Sequence, residues 1–144
     1  MKIKLKLILL LIAVSFIVFT GCKKHDNGLA ITINQVSLEA NKNDTQEKGT
    51  FTVTGGIQTS GHFIMDIKFV GIDSFYCSNK LIAPEGTFTT SLHCSAITNT
   101  GAWSVTDGTG RYALLKGGGT LVMSYPPGVV GVEVLTGKVF LGLW

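Results

Sequence analysis

The nine residues HFIMDIKFV, 62–70, decide the class of fold. Phe63, Met65, Ile67 and Phe69 fall at every second position, with His62, Asp66 and Lys68 between them. An extended chain sends successive side chains to opposite faces and so separates those two sets; a helix would mix them. The segment is a strand with one buried face and one wet face.

The same reading extends in both directions. LAITINQVSL, 29–38, is rich in β-branched residues, and TFTVT, 50–54, turns Phe51 and Val53 inward and its threonines outward. TFTTSLHCSA, 87–96, puts Phe88, Thr90, Leu92 and Cys94 on one face. AWSVT, 102–106, points Trp103 and Val105 together, and TLVMSY, 120–125, does the same for Leu121, Met123 and Tyr125. The run 131–144 alternates less cleanly and is read as buried on both sides or as an edge. NKNDTQEK, 41–48, is polar throughout and reads as a loop. Of the 18 glycines, 17 lie beyond residue 21 and are spread along the chain, a density that breaks helices and marks turns. Seven to eight short strands without helices predict an antiparallel sandwich or barrel. The length and mixed faces favour a small closed barrel of about eight strands over residues 29–144, and closure also removes exposed edges.

The N-terminus carries an address. Lys2, Lys4 and Lys6 precede the apolar run LILLLIAVSFIVFT, 7–20, which ends at Gly21-Cys22. A basic segment, a short apolar segment and a small residue before the cut make a secretory signal. The apolar run has 14 residues, short of the roughly 20 that cross a bilayer. Phe19-Thr20-Gly21-Cys22 resembles the bacterial lipobox, with Phe19 where Leu is usual. The resemblance implies cleavage before Cys22, acylation of Cys22, and an exported protein anchored to the cell envelope. Lys23 after the cysteine resembles lipoproteins released to the outer membrane. The chain then divides into a signal peptide (1–21), a lipidated tether (22–28) and a barrel domain (29–144).

Removing residues 1–21 takes three lysines with it and leaves nine basic against nine acidic residues. Without a basic field there is nothing to hold a phosphate backbone, so nucleic acid is an unsuitable partner. Once Cys22 is assigned, Cys77 and Cys94 remain as an even pair in a compartment where disulfides persist. A two-residue turn at Glu85-Gly86 would set Cys77 directly opposite Cys94, at a spacing a disulfide accepts. The alternative is two buried reduced thiols.

Residues 101–120 read GAWSVTDGTGRYALLKGGGT. Gly108 and Gly110 suit a tight turn, Tyr112, Leu114 and Leu115 supply apolar bulk, and Gly117 to Gly119 read as a second break. With Gly101, Trp103, Thr109, Ala113 and Thr120, and with Gly-Thr-Phe and Thr-Gly-Gly inside 49–56, the pattern resembles the allene oxide cyclase barrel-like, or dirigent-like, group of exported bacterial proteins. The resemblance implies an eight-stranded barrel with an apolar interior. It covers turn and core positions, places no catalytic residue, and does not imply cyclase activity.

Other chemistry is thinly represented. Gly108-Thr109-Gly110-Arg111-Tyr112-Ala113 has dinucleotide-fingerprint spacing but no helix to follow it. His25 lies in the tether, and His62 and His93 point outward; no metal-ligand spacing occurs. No Gly-x-Ser-x-Gly elbow is present. Asp66 and Glu133 read as surface strand charges. No cofactor is called for. The aromatic and sulfur side chains Phe63, Met65, Phe69, Phe75, Phe88, Trp103, Tyr112 and Tyr125 are candidates to line a small apolar pocket in the barrel mouth, although an eight-stranded interior can also simply be filled. Tyr125-Pro126-Pro127-Gly128 reads as a rigid rim loop.

Three functions stay open. They are a non-enzymatic barrel binding a small apolar ligand or an envelope partner, an isomerase or cyclase, and a structural lipoprotein without ligand. A dry apolar cavity favours the first, convergent polar groups in a cavity the second, and a filled interior the third.

Overall fold

A computed structural model describes residues 28–142. Eight strands follow one another, β1 (Leu29–Ala40), β2 (Gln46–Gly55), β3 (Thr59–Val70), β4 (Ser74–Ala83), β5 (Gly86–Ser95), β6 (Thr100–Gly108), β7 (Leu115–Ser124) and β8 (Gly131–Leu141). Each pairs antiparallel with the next, and β8 pairs back onto β1, so the sheet closes. The expected all-β barrel of about eight strands is the fold.

Period-2 alternation survives almost intact. Phe63, Met65, Trp103 and Val105 are buried, as are Phe51, Val53, Phe88, Leu92 and Cys94. Ile67 is half-buried against the core. Phe69 departs from the expectation: it is 56% exposed, because β3 runs out at Val70 and carries it to the rim. Of the run 131–144, the described residues are neither doubly buried nor an edge. Its inward positions hold Gly131, Glu133, Leu135, Gly137 and Val139, and two glycines and a glutamate hide an ordinary alternation. Residues 46–48, read as loop, belong to β2.

The glycine run 117–119 is not a break but the middle of β7. It lets three strands approach closely around Trp103. A Cβ on Gly119 would collide with the Thr136 carbonyl, the same carbonyl that accepts the Trp103 indole N–H at 3.2 Å.

The two barrel ends differ. One carries the β2–β3, β4–β5 and β6–β7 connections together with the start of β1. Here a single 3-10 turn, Gly110–Tyr112, buries Tyr112. Its ring lies 5.1 Å from Phe88, which meets Phe51 edge-on at 6.1 Å. Tyr112 donates its hydroxyl hydrogen bond to Glu85 Oε2 (3.1 Å), Thr59 donates to the same oxygen (3.2 Å), and Arg111 N–H donates to the Glu85 carbonyl (3.0 Å). This end is plugged. Phe88→Ala is expected to cost about 3–5 kcal/mol, the usual range for a buried phenylalanine, read as a fall in the urea midpoint. A cost below about 1 kcal/mol would show that the ring does not carry the plug.

The opposite end carries the loops 41–45, 71–73, 96–99 and 125–130. The β1–β2 loop is tied by Asn41, whose Oδ1 accepts from Thr45 N–H (2.8 Å) and Gln46 N–H (3.1 Å). This end is open.

The β4–β5 turn is Pro84-Glu85, not Glu85-Gly86. Ala83 pairs with Gly86, which opens β5 at a φ of +145°. That slip of one residue sets Phe75 opposite Cys94 and Cys77 opposite Leu92. The cysteines share the inward face but are diagonal neighbours. Diagonal partners lie about 7–8 Å apart, beyond the roughly 4.4–6.8 Å between Cα atoms that a disulfide accepts. Both are free thiols in the structure, and the expected cross-strand disulfide is corrected accordingly.

Candidate functional site

The open end leads into a cavity of about 360 Å³. Its wall is built by inward residues near the strand ends: Met65, Ile67 and Phe69 from β3, Phe75 and Cys77 from β4, Leu92 and Cys94 from β5, and Met123 from β7. Tyr125 and Val130 close the side under the β7–β8 loop, and Ala96 sits at the mouth. Phe69 and Phe75 pack with ring centroids 5.9 Å apart. The rim continues outward in exposed apolar side chains, among them Ile72 (93% exposed) and Ile97 (72%).

Of the eight expected pocket residues, Met65, Phe69, Phe75 and Tyr125 line this cavity. Phe88 and Tyr112 do not, because they form the plug at the other end. Phe63 and Trp103 are buried in the barrel core and take no part in the cavity wall. The loop beginning Tyr125-Pro126-Pro127-Gly128 does lie at the rim. Cys22 lies outside the described residues.

Three carboxylates share the cavity: Asp44 at the loop, Glu47 on β2 and Glu133 on β8. Glu133 is the unexpected one. It is only 5% exposed, opposite Gln35 on β1 and Met123 on β7. Its Oε2 has no hydrogen-bond partner, nor has the buried Oε2 of Glu47. Asp66, the carboxylate considered with it, faces outward and accepts from Gln46 Nε2 at 2.8 Å. Burial, and then the charge of Glu47, push the Glu133 carboxyl up to about 8. Burial likewise raises the Tyr125 phenol.

Gln35, Ser37, Asn79 and Thr90 are also fully buried inward-facing polar residues. Asn79 Nδ2 donates to Gln35 Oε1 (3.0 Å), while Gln35 Nε2, Asn79 Oδ1, Ser37 Oγ and Thr90 Oγ1 lack protein partners. Buried polar atoms of this kind ordinarily find water. On the wall, interaction with the Cys94 thiol, and then burial, raise Cys77 far above the ordinary thiol range, while interaction with Cys77 lowers Cys94 against the opposing effect of burial. Cys94 is therefore the thiol that ionises first. Among the described residues no three His, Cys, Asp or Glu side chains group as a metal set.

Compared with known proteins, the chain matches no protein-family model, no curated sequence and no solved structure. The site is therefore read from its own chemistry.

Proposed function

We propose that the chain is an exported lipoprotein, anchored through Cys22, whose barrel binds a small, largely apolar ligand at its open end without turning it over. One observation carries the binding reading: a cavity of about 360 Å³ that opens at one end and is walled mainly by apolar side chains. That volume falls among those of small-molecule sites, roughly 300–1,000 Å³. The apolar rim adds contact for a ligand entering tail-first. An open cavity also argues against a purely structural barrel with a filled interior.

The dirigent-like resemblance is part of this proposal, resting on the turn and core residues in 49–56 and 101–120. One feature favours the isomerase or cyclase alternative: Glu133 holds its proton into the neutral range and so could exchange it at a bound substrate. Its unpartnered oxygen serves a binding role equally well.

The test uses octanol as a neutral apolar probe, followed by calorimetry. Burial is worth about 0.8 kcal/mol per CH₂ and association has its own cost, so a saturable constant in the micromolar to millimolar range is expected. Ala96→Trp, at the exposed mouth, should weaken it roughly tenfold while leaving the melting temperature unchanged. Absence of saturable binding to the wild-type protein would overturn the reading.

A further inference from the structure

The cavity combines an apolar wall with a polar end of one sign. Its lining contains three carboxylates, Asp44, Glu47 and Glu133, and among the described residues no Lys, Arg or His. A fatty acid or any other anionic head group would meet only like charge there. Glu133 is more than nine-tenths buried, lines the cavity, and has an oxygen with no partner in the protein. The buried Oε2 of Glu47 is equally unpartnered. Two such oxygens without partners in the structure, beside a space large enough for a guest, are placed to accept hydrogen bonds from one.

We infer that the ligand is an amphipathic amine, its ammonium group bound by Glu133 and Glu47 and its apolar body lying against Met65, Phe75, Leu92 and Tyr125. This rests on the binding reading above and specifies the ligand class for that same site. An ammonium group supplies three N–H donors and one positive charge, which satisfies both orphan oxygens and relieves the repulsion between the two carboxylates. An alcohol supplies one donor and no charge.

The empty site and the occupied one differ in protonation. Burial and Glu47 hold a proton on Glu133 when the cavity is empty; an ammonium ion replaces that proton. The other titratable groups facing Glu133 are Glu47 on β2, Asp44 on the β1–β2 loop, Cys77 on β4, Cys94 on β5 and Tyr125 beyond β7. The carboxylates favour the cation, and ionisation of Cys94, the more acidic of the two thiols, acts in the same direction as pH rises. Amine binding should therefore tighten as pH rises from about 6 to about 9, as Glu133 gives up its proton more readily.

The experiment compares octylamine, octanol and octanoate on the full chain, in the wild type and in Glu133→Gln, by calorimetry at both pH values. Octylamine is expected to bind roughly tenfold tighter than octanol at the higher pH, with octanoate weakest. In Glu133→Gln, with Glu47 still in place, the preference for the amine over octanol should shrink several-fold and its pH dependence should weaken. A far-UV circular dichroism spectrum like that of the wild type and a cooperative urea melt report that the variant is folded. Octylamine binding no tighter than octanol, octanoate binding best, or an amine preference undiminished in Glu133→Gln would overturn the inference while octanol binding keeps the apolar site. If none of the three binds the wild type, the binding reading itself falls.

Discussion

Glu133→Gln is expected to stabilise the empty barrel by about 5 kcal/mol near pH 9 and to change little near pH 4. In the folded chain the Glu133 carboxyl is raised from 4.5 to about 8, by burial first and by the charge of Glu47 second. Between those two values the folded state keeps a proton that the unfolded state has lost. Stability therefore falls as pH rises through that window, and above about 8 the full cost of an ionised buried carboxylate is present. Each pH unit of displacement corresponds to about 1.4 kcal/mol, which gives roughly 5 kcal/mol in all. Gln has nearly the same shape and no charge, so it matches the protonated wild type at low pH and escapes the cost at high pH. Urea melts of both proteins across that range measure the difference. A constant gap between the two curves would show that Glu133 does not titrate as a buried group. The same substitution is expected to weaken the preference for an amine, so stability and binding at this position oppose each other.

Cys22→Ser is expected to abolish lipid attachment outright. Two or three acyl chains hold a protein stably where one is marginal, and none leaves no anchor. Wild-type protein should fractionate with membranes, with a mature mass lacking residues 1–21 and increased by lipid. The variant should be released or should accumulate as the full-length precursor. Unchanged fractionation together with unchanged mature mass in the variant would sink the anchor. The described residues contain no helix long and apolar enough to cross a membrane.

The barrel could be read from strands such as 62–70 because their inward positions are all large and apolar. It was harder to read in β8, where Gly131, Glu133 and Gly137 occupy inward positions and imitate an exposed strand. The aromatic side of the cavity was legible in part. Met65, Phe69, Phe75 and Tyr125 line it, while Phe88 and Tyr112, equally inward by alternation, lie at the other end of the same barrel. Alternation tells which face a side chain occupies but not its depth along the axis. The carboxylates were missed for a related reason. A glutamate in a strand is ordinarily solvated, and Glu47 sits in a polar run that looks like loop. Only the closure of β8 onto β1 carries Glu133 inside, opposite Gln35. The cysteine register failed on a single residue of turn placement, since shifting Glu85-Gly86 to Pro84-Glu85 converts a facing pair into a diagonal one.

The chain enters the barrel at Leu29, beside the plugged end and opposite the mouth. On the proposed anchor, residues 23–28 can reach at most about 20 Å, so the plug stays near the lipid. The mouth stands further off by the height of the barrel, roughly 25 Å for strands of this length and tilt. With the barrel upright on such an anchor, a guest would reach the mouth from water or from a carrier and not sideways from the bilayer, which would favour molecules soluble enough to survive that passage.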